Sequence, residues 1–227
     1  MSKDIKKLVN PNRHINRNTL MSNLNGKSFE EIIDVFNKRV YDFYFKLGDH
    51  IVAQKHPHFD FVLMIISVVT IDLLSQYENN LDSSGGKHFR AYIRVHIPEF
   101  NKKFINKGTL EFFFKDRKKR VHWSEPVNSK YLNDYADAFY LGFRNGIVHN
   151  AMILPFGRIN WSPKNIVQEE LWDKKNNKIE IIIHPQNLYH KIKLIFNDYI
   201  KRLKNPKETK LRDKFREKFL RDFGWSI

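Results

Sequence analysis

Apolar positions recur every three to four residues through most of this chain, the pattern of amphipathic helices. Ser28 and Glu31 form a capping-box pair that starts one helix, and Ile32, Val35, Phe36, Val40, Phe43 and Leu47 continue it as a single buried stripe. His56-Pro57-His58 interrupts the pattern, and a buried helix follows over about 59–77. Its most apolar run, Phe61 to Leu74, holds Ser67, Thr70 and Asp72; it is too short and too interrupted for a membrane span and reads as core. Asp82-Ser83-Ser84-Gly85-Gly86 is a loop, residues 87–97 form a short helix, and Pro98 ends it. Residues 99–127 show no clear period, with a Phe112-Phe113-Phe114 run followed by nearly continuous charge from Lys115 to Arg120.

The next helix starts near Ser129 and ends at about 149–151, before Pro155. Periodicity then changes. Residues 153–159 read as a turn between short extended pieces, and Val167 to Trp172 and Lys178 to His184 read as strands joined by residues 173–177. Pro185 suits the first turn of a further helix, over 187–203, and a basic amphipathic helix follows Pro206. The expected fold class is therefore mainly α: a helical bundle with a small β-hairpin insertion after the helix that ends at about 149–151, and a basic C-terminal helical tail. The expected boundaries are a polar basic arm over 1–27, a helical domain over 28–205 with its β insertion at about 153–184, and the tail over 206–227.

Composition narrows the class. Of 227 residues, 41% are hydrophobic and 14% aromatic, enough for a folded core. Cysteine is absent, which removes disulfides, thiolate metal sites and cysteine nucleophiles, and fits a cytoplasmic location. The first fourteen residues have no apolar run of the secretory kind. A formal net charge of +15 favours an anionic partner, with nucleic acid ahead of a membrane surface.

One string carries candidate chemistry: Arg144-Asn145-Gly146-Ile147-Val148-His149. An arginine and a histidine at this separation arise by chance in so basic a chain, and Arg90 with His96 and Arg117 with His122 are rivals. Context separates them. On a regular helix with Arg144 at zero, Asn145 and His149 fall at about 100° and 140°, while Leu132, Ala136, Phe139, Phe143 and Ile147 form the core stripe on the other side. Leu141, Val148 and Ala138 share the motif sector, so that side offers a subunit interface. Arg117 lies in a charge run, and Arg90 is followed by Ala91 with no comparable sector.

Arg144-Asn145-x-x-x-His149 on a late helix resembles the signature of the HEPN superfamily, the higher eukaryotes and prokaryotes nucleotide-binding domains. The resemblance spans about 28–204 in layout and is specific in the motif alone. It implies a helical bundle, a homodimer with facing motifs, and metal-independent cleavage of RNA, in a group where many members are toxins or antiviral-defence effectors. Arg144 and His149 are then the expected catalytic residues and Asn145 the substrate-positioning one, with no metal and no cofactor. Arginine can hold phosphate oxygens bidentately, and histidine exchanges protons near neutral pH. The expected partners are RNA, a second copy of the chain and an antitoxin or regulatory protein, with no membrane. Two other readings fit the same residues: a non-catalytic RNA- or nucleotide-binding module, and a basic adaptor that binds a partner protein through its tail.

Lesser candidates read as structural. His56, His58 and Asp60 lack further ligands at metal-site spacing, and Gly85-Gly86-Lys87 lacks the rest of a phosphate loop. Residues 102–120 hold eight basic and two acidic residues beside a Phe run, equally suited to RNA contact and to a solvated face.

Overall fold

The computed structural model describes residues 14–16, 19–20, 24, 26–54, 59–115, 121–128, 132–153, 156–161 and 164–224, with backbone alone at 14–16, 19–20, 109, 111–115, 121–128 and 149–150. In chain order the elements are β1 (His14–Asn16), β2 (Thr19–Leu20), α1 (Phe29–Val40), a π turn (Tyr41–Phe45), α2 (Lys46–Gln54), α3 (Asp60–Asn79), α4 (Gly86–His96) and a 3-10 turn (Pro98–Asn101). Then follow β3 (Thr109–Lys115), β4 (Val121–Asn128), α5 (Tyr135–Phe139), a second π turn (Tyr140–Asn145) and α6 (Gly146–Asn150). The chain continues through β5 (Gly157–Ile159), β6 (Val167–Asp173), β7 (Lys178–Ile183), α7 (Pro185–Lys204) and α8 (Thr209–Phe223). The fold is mainly helical with a small sheet.

Two compact units are present. One comprises Met1–His56, Asp72–Ser84 and Ile192–Ile227; the other comprises Pro57–Ile71 and Gly85–Lys191. Both are discontinuous in sequence. The segment beyond residue 206, read from the sequence as a basic amphipathic tail, falls within the first unit.

In the first unit, the capping box forms as expected: the Glu31 backbone N–H donates to Ser28 Oγ at 3.3 Å, and the Ser28 N–H donates to Glu31 Oε2 at 2.8 Å. Ile32, Val35, Phe36 and Val40 are buried on α1, but Phe43 and Leu47 are 49% and 47% exposed. The π turn at 41–45 explains the difference. It adds one residue to a helical turn, rotating everything after it by about 100°, so Phe45, Gly48 and Ile51 take the buried face instead. Phe36 lies at the centre of a ring cluster with Tyr77, Phe196, Phe215 and Phe219. Lys218 of α8 is only 4% exposed and meets Asp222 at 2.6 Å, and Asp222 also accepts from the Tyr77 hydroxyl at 2.7 Å.

In the second unit, the expected hairpin is present, with β6 antiparallel to β7 from Val167↔Ile183 to Asp173↔Lys178. Asn177 closes its turn in the left-handed region at φ 51°. The sheet is larger than that hairpin. β3 and β4 form a second hairpin ahead of the motif helix, inside the stretch whose sequence shows no period, and β3 joins β7 in parallel through Thr109↔Lys178. β5 also runs parallel to β7, from Gly157↔Ile181 to Ile159↔Ile183. β7 therefore has β6 as well as β3 and β5 beside it, and Ile179, Ile181, Ile182 and Ile183 are buried. Such near-continuous burial is the mark of a strand covered on both faces.

α3 is longer than the apolar run that announces it. Asp60–Asn79 is the one helix among the described residues long and apolar enough to cross a membrane, and 61% of that stretch is buried inside the protein. Ser67, Thr70 and Ser75 are fully buried with it, and Thr70 donates to the Ile66 carbonyl at 2.7 Å.

Candidate functional site

The motif helix starts later than its sequence suggests and is not one regular spiral. Asp134 caps it, accepting from the Asp137 N–H at 3.1 Å, and α5 begins at Tyr135. Tyr135, Ala136, Asp137, Ala138 and Phe139 are all buried, so Ala138 lies in the interior and not in the motif sector. The π turn at 140–145 then re-phases the helix, and Arg144 and Asn145 are its last two residues. π turns of this kind are frequent at functional sites. α6 carries on through His149 and closes on Ala151, which adopts the left-handed conformation and donates to the Ile147 carbonyl at 3.2 Å.

Close packing holds this helix in place. A Cβ on Gly142 would stand 2.6 Å from the ring of Phe156, and one on Gly157 would stand 2.9 Å from Phe143 Cζ. Neither position has room for a side chain without displacing a buried aromatic ring. Beneath the helix, Phe139 stacks on Phe143 at 5.3 Å and packs on Phe100 at 4.8 Å and Phe89 at 6.2 Å.

Arg144 and Asn145 come together. Arg144 Nη1 donates to Asn145 Oδ1 at 3.3 Å, and the guanidinium lies 5.5 Å from the centre of the Tyr140 ring. Both residues are half-buried. Asn145, expected as the substrate-positioning residue, has Arg144 as its described partner. The backbone of His149 is on α6, and its side chain lies outside the described residues. Leu141 is half-buried, whereas Val148 and Met152 are each 49% exposed.

Arg90, a rival of Arg144 in the sequence, shares the Tyr140 ring with it and brings a cluster that the sequence does not single out. The Arg90 guanidinium on α4 lies 4.9 Å from the same Tyr140 ring, and its Nε meets Asp137 at 3.1 Å. Arg94, one turn on, is bidentate to Asp134 at 2.6 and 3.0 Å and reaches Asp137 at 2.8 Å. Burial raises the Asp137 carboxyl, but hydrogen bonds from Asn133 and the Arg94 charge outweigh it and hold it below the usual carboxylate range. Arg90 and Arg94 are one helical turn apart, as are Asp134 and Asp137; that matched spacing of opposite charges is the only sign of the cluster in the sequence.

The other candidates resolve differently. Asp60 is buried and accepts from Trp161 Nε1. Burial raises its carboxyl, against the lowering effect of that N–H. His56 and His58 lie outside the described residues, as do Asp116 to Arg120. No group of three or more metal-ligating side chains occurs among the described residues.

His184 has a structural task. It is 8% exposed, precedes Pro185, and its Nδ1 accepts the Asn187 N–H at 3.2 Å, capping α7. That bond requires a neutral ring with the proton on Nε2. Burial lowers its pKa below the ordinary value, with the charge of His190 acting in the same direction and backbone hydrogen bonds opposing. A lowered folded-state pKa means that this histidine's contribution is present above about pH 6.5 and is lost as pH falls toward its folded value, because the unfolded chain takes up the proton first. Wild-type stability should therefore fall between about pH 7 and 5 more steeply than that of His184→Asn, which keeps a capping acceptor without the titration. Urea denaturation across that range measures it; identical slopes would remove His184 from the pH dependence.

No family model, curated protein or solved structure matches this chain.

Proposed function

We propose that the chain is a metal-independent endoribonuclease of the HEPN kind, working as a homodimer in the cytoplasm as a toxin or antiviral-defence effector. The observation that carries this reading is the setting of Arg144: a half-buried side chain whose guanidinium is steadied by the Tyr140 ring and the Asn145 amide, five residues before His149 on a π-widened helix. Such a cation is placed to hold the non-bridging oxygens of a phosphodiester as negative charge builds on them. The RNA 2′-hydroxyl attacks its own 3′-phosphate while a histidine removes its proton. The bond from phosphorus to the 5′-oxygen breaks, and a protonated histidine supplies the leaving oxygen's proton, giving a 2′,3′-cyclic phosphate and a 5′-hydroxyl. A two-fold dimer supplies both histidines, because an isologous contact presents the same motif twice. The exposed Val148, on the helix, and Met152, just past its end, suit such a contact. The net charge of +15 suits the substrate.

The test is incubation of the purified chain with RNA in EDTA, with end analysis of the products and light scattering of the protein. Cleavage should survive chelation, leave 2′,3′-cyclic phosphate ends, and come from a dimer. Activity that disappears in EDTA and returns with Mg²⁺ or Mn²⁺ overturns the mechanism. RNA binding without any cleavage favours the non-catalytic module.

A further inference from the structure

We infer that Arg90 is a second RNA-gripping residue of this site, a substrate-positioning residue that engages a phosphate next to the one held by Arg144. The inference rests on the ribonuclease reading of Arg144 and adds to it a residue on a different helix.

The geometry centres on Tyr140. The guanidinium carbons of Arg90 and Arg144 lie 4.9 and 5.5 Å from the centre of its ring, so the two cations can be no farther apart than the sum of those distances, about 10 Å. Neighbouring phosphates of one strand fall within such a span. The ring itself is fixed. Gly86 leaves the space it fills, since a Cβ there would stand 2.6 Å from Tyr140 Cζ, and Phe89 packs on it at 5.7 Å.

Arg90 is held but not consumed. Its Nε meets Asp137 at 3.1 Å, and its side chain keeps 30% of its surface exposed. Asp137 is shared: Arg94 donates to Oδ1 at 2.8 Å, and the Asn133 N–H and Nδ2 donate to Oδ2 at 2.9 and 2.8 Å. The carboxylate therefore orients Arg90 while much of its own accepting capacity is used elsewhere. Arginine has five N–H donors, and the terminal pair forms the fork that matches a phosphate. Arg94, bidentate to Asp134, serves as the brace. The three guanidiniums of Arg90, Arg94 and Arg144 with the two carboxylates of Asp134 and Asp137 give the cluster a positive balance, as an anion-binding surface requires.

The experiment measures binding of a short 2′-O-methyl single-stranded RNA, which cannot be cleaved, by fluorescence anisotropy at several salt concentrations. Arg90→Gln keeps a donor for Asp137 and removes the charge. It should weaken binding about 10-fold and reduce the slope of log affinity against log salt by about 0.7, one phosphate's worth for a single strand. Arg90→Lys should restore the slope. Arg158→Gln, at a surface arginine paired with Glu170 and Glu180, should leave it unchanged. In cleavage of ordinary RNA, Arg90→Gln should raise KM more than it lowers kcat. An unchanged salt slope in Arg90→Gln overturns the assignment, and so does an equal change in Arg158→Gln or a wild-type chain that does not bind RNA. Because the probe is uncleavable, the outcome is separate from the catalytic reading: full activity in His149→Ala sinks that reading alone, and an unmoved slope beside an inactive His149→Ala sinks this one alone.

Discussion

Arg144→Ala and His149→Ala should each lower RNA cleavage by at least about 10²-fold, the usual scale for a phosphate-stabilising cation or a general acid–base group. The two substitutions fail for different reasons. Without Arg144, the charge that builds on the phosphate oxygens meets no fork, and the Asn145 amide and Tyr140 ring have nothing to steady. Without His149, the hydroxyl proton and the leaving oxygen lose their exchange partner. Arg144→Lys keeps the charge but loses bidentate contact, so it should recover a fraction of activity and no more. Arg144 is half-buried rather than core. Its alanine variant should therefore unfold within about 1 kcal/mol of wild type, the scale of a partly exposed cation–π contact. Initial rates on a defined RNA, read beside thermal melts, give the answer. A His149→Ala variant that cleaves at the wild-type rate would remove the motif from the mechanism.

Phe215→Ala should cost about 3–5 kcal/mol, the usual penalty for emptying a buried phenylalanine site. Phe215 is fully buried on α8, with its ring 5.2 Å from Phe36, 5.5 Å from Phe219, 5.6 Å from Tyr77 and 5.8 Å from Phe29. Few alternative side chains can collapse into a space bounded by four rigid rings. A loss of this size is a large share of the 5–15 kcal/mol that holds a domain together. The denaturant midpoint of the first unit should fall accordingly, while Leu194→Ala, at a position 65% exposed, should shift it by less than about 0.5 kcal/mol. Equal midpoints for Phe215→Ala and wild type would mean that α8 is an appendage after all. The same result bears on the adaptor reading, since a helix whose apolar face fills a core does not offer that face to a partner.

Local signals account for what the sequence by itself determined. Ser28 and Glu31 start α1 because a capping box satisfies two end groups within four residues. Pro98 limits α4, and Pro185 opens α7, because proline acts on its own backbone and its neighbour's. Alternation on either side of Asp173 to Asn177 marks the β6–β7 hairpin, whose partners are adjacent in the chain. Most of the motif helix was legible for the same reason: Ala136, Phe139, Phe143 and Ile147 of its expected core stripe are buried, while Leu132 precedes the helix and is half-buried.

Tertiary structure decided the rest. A π turn is poorer than an α turn taken alone, so no local rule announces one; those at 41–45 and 140–145 exist where widening the helix buries a better face. The first exposes Phe43 and Leu47 and buries Phe45, and the second ends on Arg144 and Asn145. β3 pairs along its length with β4 and touches β7, far along the chain, through Thr109↔Lys178, a join invisible to a pattern read in short windows. Arg90 reaches Tyr140 only because α4 packs on α5 through Phe89 and Phe139, which share no sequence neighbourhood. Charge and periodicity within one segment can name a motif; which other side chains surround it depends on contacts between segments, and those are fixed by packing.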